Sequence, residues 1–172
     1  MRTHTAEASP ALAAAADMTT AELIAHLVET YHDRLRETLP ALESLAARAM
    51  RTGGAYRGQL RAVEQVLADL VDATLPHLDE EEHHVFPVLV GARPPPVGFG
   101  RVLAAMAEEG HIVDALVQKL LRATDGFHSP PDATPEHAQL VVGLAELARQ
   151  LQAHVQLEQE VLLPRYNVAI LR

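Results

Sequence analysis

The stretch HLDEEEHHVFPVL, His77 to Leu89, recurs later in the chain as HVQLEQEVLLPRY, His154 to Tyr166. Aligned on their first residues, both read H-x3-E-x5-P, with His77, Glu81 and Pro87 matched by His154, Glu158 and Pro164. Recurrence of this kind marks an internal repeat. A second match lies upstream, where His32 precedes His77 by 45 residues and His111 precedes His154 by 43. Each half of the chain therefore supplies one lone His and one HxxxE pair.

These stretches lie in long segments rich in Ala, Leu, Glu, Gln and Arg, separated by short clusters of Gly and Pro, which is the pattern of helices joined by loops. Nothing in the sequence has the alternation of a strand. The first segment opens at Thr19-Thr20-Ala21-Glu22, where a threonine cap and a nearby Glu fit a helix start, and runs to about Arg51 before Thr52-Gly53-Gly54. Pro40 removes one backbone donor inside it, so a kink is expected about two turns after His32. The second segment runs from about Arg57 to Val90, the third from near Gly98 to Thr124, and the fourth from about Glu136 to near Asn167. Four such segments predict an all-α, up-down-up-down four-helix bundle over residues 19–172, preceded by a flexible tail over 1–18.

With 172 residues the chain has the length of one domain and a real core. Apolar residues make up 48% and aromatic ones only 3%, so that core is aliphatic. The formal net charge of −9 and the scarcity of rings argue against nucleic acid, and the charge argues against anionic membrane surfaces. No run is long and apolar enough to span a bilayer, and the short stretch Ala11 to Ala16 falls below a secretory core, so the expected location is cytoplasmic. The absence of cysteine excludes disulfides, thiolate nucleophiles and thiolate-held clusters, so any metal must be held by nitrogen and oxygen.

On a helix, residues i and i+4 project from one face, so His77 with Glu81, and His154 with Glu158, each form a two-toothed clamp. Depth agrees: His32 lies 22 residues before Gly54 and His77 lies 23 after it, while His111 and His154 lie 20 before and 23 after Pro131. All six side chains can thus meet at one level of the bundle. Four imidazoles and two carboxylates exceed the needs of one tetrahedral zinc and suit a pair of first-row transition ions, two His per metal, with Glu81 and Glu158 bridging. Manganese, or a mixed iron–manganese pair, is accepted by the same donors. Tyr31, His84 and Glu109 are candidates for the surroundings of the site. His84 falls seven residues after His77, on nearly the same helical face, whereas His83, Asp79, Glu80 and Glu82 read as a solvated acidic surface. His26 falls off the ligand face, and His4, His128 and His137 sit in tail-like or loop-like sequence expected to face solvent.

With LIAHLVETYHDRLRETLPAL around His32 and the two repeat segments, the chain resembles the hemerythrin-like (HHE cation-binding) domains over roughly Ala21 to Tyr166, most closely the repair-of-iron-centres branch. That resemblance implies a four-helix bundle holding two irons with an oxo or hydroxo bridge. His32, His77, His111 and His154 would be terminal ligands, and Glu81 and Glu158 the bridging carboxylates. It also implies a role in nitrosative and oxidative stress, binding, sensing or converting nitric oxide, dioxygen or peroxide with the help of an electron donor. The alternative is a non-enzymatic module for iron storage, iron donation or dioxygen carriage. Three departures imply different access to the metals. The cysteine-containing N-terminal domain common in the branch is missing. Ala49-Met50-Arg51-Thr52-Gly53 stands where the branch has a further His, and Gly110 replaces the Glu that precedes its third-helix His.

Overall fold

In the computed structural model, residues 10–166 are described; residues 1–9, with His4, and 167–172, with the expected end of the fourth helix, lie outside the described residues. Among the described residues all regular structure is helical. A short helix α1 (Pro10–Ala16) precedes α2 (Thr20–Leu27), which passes through a π-turn (Val28–His32) into α3 (Asp33–Thr52). Helix α4 (Arg57–Glu80) likewise passes through a π-turn (Glu81–Val85) into the short α5 (Phe86–Leu89). Helix α6 (Phe99–Ala123) is regular throughout, and α7 (Pro135–Leu157) ends in a π-turn (Glu158–Leu162) followed by a 3₁₀ turn (Leu163–Tyr166).

Local chemistry explains the helix starts. Thr19 Oγ1 accepts the Glu22 amide at 3.3 Å while Glu22 accepts the Thr19 amide at 2.8 Å, a complete capping box. Thr134 caps α7 with its side chain alone, accepting the His137 amide at 3.3 Å, with Pro135 at the first helical position, where its missing N–H costs nothing. Pro40 leaves α3 helical from Asp33 to Thr52, so the irregularity of the first bundle helix falls at Val28–His32 instead.

Helices α3, α4, α6 and α7 pack in a ring, each against its neighbours in sequence, and α3 also against α7. Their interior holds two apolar clusters. One, from Leu35 and Leu39 through Leu67, Leu70, Leu120, Leu144 and Leu151, fills most of the bundle. The other, with Leu23, Leu27, Val85, Phe86, Met106 and Leu162, fills the end at which α2 and α5 lie. The segment expected as a tail contributes here: Leu12 and Ala15 of α1 are buried in this second cluster, and the Arg165 guanidinium donates to the Ala15 carbonyl at 3.3 Å. Between the clusters lies one polar layer, since His32 falls between Leu27 and Leu35, Glu81 between Leu78 and Val85, and Glu158 between Val155 and Val161.

Candidate metal centre

His32, His77, Glu81, His154 and Glu158 are all buried in that layer. The HxxxE clamps form as their spacing requires: His77 Nε2 lies 3.2 Å from Glu81 Oε1, and His154 Nε2 lies 3.1 Å from Glu158 Oε1. Across the bundle, His32 Nε2 lies 2.9 Å from His154 Nε2 and 3.4 Å from Glu81 Oε2. Glu158 Oε2 stands 3.9 Å from His77 Nε2, and Glu81 Oε2 stands 3.9 Å from His154 Nε2. Both carboxylates therefore divide their oxygens, one toward the His32/His154 pair and one toward His77. One donor atom each from His32, Glu81, His154 and Glu158 falls within 4.8 Å of the others, the only such group found among the described residues.

The outer ring nitrogens are anchored. A carboxylate can only accept, so His32 Nδ1–H donates to Glu82 Oε1 at 2.8 Å and His77 Nδ1–H donates to Glu109 Oε2 at 2.6 Å. Both rings thereby turn Nε2 inward, as metal-ligating imidazoles with a carboxylate behind them do. Arg36 extends one of these arms, donating to Glu82 Oε1 at 2.8 Å and to Asp79 Oδ1 at 2.6 Å. Phe86 stacks on His32 with ring centroids 5.7 Å apart, closing the layer toward the second cluster.

The local backbone explains the aim of these side chains. Every π-turn carries a donor: Val28–His32 ends on His32, and the other two begin on Glu81 and Glu158. A π-turn inserts one residue into the helical register and is common at functional sites. Two of the turns also prepare for a proline two residues on. Pro87 has no N–H for the His83 carbonyl, which instead accepts from Arg93 Nη1 at 2.9 Å.

The same turns redistribute residues that α-helical counting misplaces. His84, expected on the His77 face, is exposed, with only a 3.9 Å approach to Glu80. Glu82, read as surface acid, turns to His32, and Arg36 and Asp79 join it; the nearest sequence signal is Pro87, two residues beyond the irregular turn. Tyr31 makes no hydrogen bond into the layer and lies against the His154 and His26 rings at 6.0 and 5.8 Å. Glu109 lies in contact with a candidate ligand, as an outer partner. His137, expected at the surface, is buried against Tyr56 at the far end of the bundle because Thr134 starts α7 early enough to fold it in.

His111 is the one expected ligand that the structure does not bring to the layer. Along α6 the inward positions are Leu103, Met106, Ala107, Gly110, Val113, Val117 and Leu120, so the inward place at this level belongs to Gly110. His111 stands one residue, about 100° of helix, further round and is half-buried near Asp114, whose carboxyl is pushed up by burial against the pull of His111. Over Gly110 lies Gln159, which donates to the Ala107 carbonyl at 3.2 Å. A β-carbon built at position 110 would meet Gln159 Nε2 at 2.7 Å and Val155 Cγ1 at 3.1 Å.

Electrostatics show what the layer requires. Burial drives His154 down to about 4 and lowers His32, so both are neutral with free lone pairs. Burial alone would also lower His77, but Glu158 and Glu81 reverse it and raise it to about 11. Burial and the charge of Glu158 push Glu81 well up, while polar contacts from His77 and Glu81 and the charge of His77 keep Glu158 low against its own burial. In the metal-free protein a proton on His77 thus stands between the carboxylates, where a cation belongs. Even so, both oxygens of Glu81 and Oε1 of Glu158 are buried without a hydrogen-bond donor. An unsatisfied buried carboxylate is costly, and a cation held by this N/O donor set removes the cost.

The layer is approached by cavities beside His77. Cavities of about 430 and 380 Å³ flank the His77–Glu109 pair between α4 and α6, and the second also reaches Glu81 and Arg101. Among the described residues no helix is long and apolar enough to cross a membrane.

Comparison with known proteins agrees with this geometry. Iron-sulfur cluster repair protein YtfE from Salmonella paratyphi B (strain ATCC BAA-1250 / SPB7) is 30% identical over 149 residues, covering 84% of this chain and 65% of the relative. The same identity and coverage hold for the proteins of that name from Salmonella newport (strain SL254) and Salmonella agona (strain SL483). The chain thus spans just under two thirds of the length of these relatives. The sequence profile described as Hemerythrin HHE cation binding domain matches residues 23–166, from the start of the first bundle helix to the turn that closes the last. A match over that span, with a cation-demanding His/Glu layer at its centre, makes the chain a member of the hemerythrin HHE cation-binding family.

Proposed function

We propose that the chain is a cytoplasmic non-heme diiron protein that binds, senses or converts a small oxidant or diatomic molecule, nitric oxide, dioxygen or peroxide, in a nitrosative or oxidative stress response. The observation that carries this reading is the division of the Glu81 and Glu158 oxygens between His32/His154 and His77, which provides for two cations joined by two carboxylates. The name of the relatives, iron-sulfur cluster repair proteins, supports the stress context. Two irons in this layer would supply redox and Lewis-acid chemistry.

The chain's own residues have defined tasks in that setting. His32, His154 and His77 present neutral nitrogens once the His77 proton has left, and Glu81 and Glu158 join the two positions. Glu82 and Glu109 hold the rings and raise their basicity. Phe86 and the leucines on either side keep bulk water from the layer, so ligands arrive past His77 and Glu109. A second reading, iron donation without turnover, draws on the same cavities, because a metal reachable from outside can also leave. Elemental analysis and a visible spectrum of untagged protein from iron-replete cells test the main reading. About two irons per chain, lost in the His77→Ala/His154→Ala variant, support it, and absence of metal after anaerobic reconstitution sinks it. Turnover with nitric oxide or peroxide under reductant separates conversion from donation or carriage.

A further inference from the structure

We infer that the Thr74 hydroxyl donates a hydrogen bond to the small ligand taken up in the layer, and so favours ligands with an atom able to accept one, such as nitric oxide, dioxygen or peroxide. This rests on the diiron reading above. Thr74 lies three residues before His77 on the inward side of α4. Residues i and i+3 of a helix are neighbours and each side chain leans toward the N-terminus, so the His77 ring reaches back over Thr74. Thr74 is buried, and its Oγ1 has no hydrogen-bond partner, the only buried hydroxyl so left among the described residues. The ordinary recourse of a buried helical threonine is to donate to the carbonyl four residues earlier, as Thr124 does to Leu120 at 2.9 Å. Thr74 does not take it, so its hydrogen is free.

The other helices place only carbon at this level. Counting three residues from His32, Gly110 and His154 into the larger apolar cluster gives Leu35, Val113 and Leu151, all buried. Within the internal repeat, Leu151 is the direct counterpart of Thr74. The fold is thus served by an apolar side chain here, and an unpaired hydroxyl is costlier than a valine of the same shape. Nearby donors are committed elsewhere: the Nδ1–H groups of His32 and His77 to Glu82 and Glu109, and the Gln159 amide to the Ala107 carbonyl. The Thr74 hydrogen turns about its C–O bond, so it meets a ligand beside His77 without any movement of α4. The cost of the unpaired hydroxyl in the empty layer is then recovered on ligand binding.

The full chain, loaded anaerobically with ferrous iron, tests this by nitric oxide binding, followed by visible absorption and infrared spectroscopy in wild type, Thr74→Val and Thr74→Ser. Thr74→Val should weaken nitric oxide binding about two- to tenfold, the worth of one net hydrogen bond, and shift the N–O stretching frequency, and Thr74→Ser should restore both. In the metal-free protein Thr74→Val should raise the thermal midpoint, because a methyl group replaces an unsatisfied hydroxyl, so that poor folding does not account for the weaker binding. Unchanged affinity and frequency in Thr74→Val, or a loss that Thr74→Ser does not restore, overturns the inference and leaves the diiron reading intact. A lowered midpoint in metal-free Thr74→Val does the same, since the hydroxyl would then serve the fold, as does an iron-loaded wild type that takes up no nitric oxide. Failure of the wild type to retain about two irons overturns the diiron reading itself.

Discussion

The two halves of the chain repeat one hairpin pattern in sequence but contribute differently to the layer. The first half delivers His32, His77 and Glu81, each imidazole backed by an acid, and its polar network extends through Arg36 and Asp79 to the surface. The second half delivers His154 and Glu158, and its first helix places Gly110 where a donor would stand. Glu109 on that helix instead crosses to serve His77 of the other half. Helix α6 thus supports the layer through an outer partner without placing a donor in it.

The largest effect expected from breaking this comparison comes from the carboxylates that both halves share. Glu81→Gln and Glu158→Gln each replace one of the divided oxygens by an amide nitrogen and remove the carboxylate charge that both positions share, and metal content measured after desalting should fall to near zero. Retention of two tightly held metals in either variant would show that the divided oxygens are not what joins the positions.

Next are the outer carboxylates. Glu82→Gln and Glu109→Gln should each lower metal affinity by about 10–100-fold. Glu82→Gln acts through the His32 ring and Glu109→Gln through the His77 ring. Unchanged metal affinity in both variants would show that these outer carboxylates do not support the ligating imidazoles.

A smaller effect concerns the metal-free protein. His77 carries a raised folded value of about 11 against an ordinary 6.5, so its contribution to stability is complete below pH 6.5 and is lost as pH rises toward 11. Chemical denaturation should show stability falling with pH above about 6.5, by at most about 1.4 kcal/mol per pH unit for this one proton. His154 acts in the opposite direction, with a folded value of about 4, so acidification from 6.5 toward 4 also destabilises the fold. Metal loading displaces the His77 proton and should flatten the alkaline slope; a slope unchanged by metal or by His77→Asn would assign it to other groups.

The smallest effect belongs to Gly110→Ala. Helix propensity favours alanine by about 1 kcal/mol, offset by crowding against Val155 and the movable Gln159 amide, so a stabilisation below about 1 kcal/mol is expected. A drop in thermal midpoint would mean that Val155 and Gln159 occupy the space above Gly110 rigidly.

Much of this was legible in the sequence, and the failures share causes. The four segments, the capping box at Thr19 and the HxxxE clamps follow from i,i+4 spacing within unbroken α-helix and appear as expected. Counting fails beyond each π-turn, because an inserted residue rotates whatever follows; this explains why His84 is outside and Glu82 inside. His111 illustrates a different limit. Spacing in a repeat is good to about a residue, and one residue on a helix is the difference between facing a metal layer and facing its flank. Gly110 carries no chemical signal of its own, so only the burial pattern of α6 shows that the inward place is empty. The burial of Leu12 and Ala15 was hidden by the shortness of α1, whose small residues gave no periodic signal.

The polar layer also divides the hydrophobic interior in two, and that has a consequence for how the molecule opens. With cations present, five side chains from three of the bundle helices are tied together and the two apolar clusters should unfold as one cooperative unit. Without them, the junction is left with one proton on His77 and with carboxyl oxygens in need of donors, and the smaller cluster, held by α1, α2, α5 and the last turn of the chain, becomes a separable unit. Native-state hydrogen exchange should then show amides of Thr20–Leu27 and Phe86–Leu89 exchanging through local opening while those of the α3–α4 and α6–α7 core still require global unfolding.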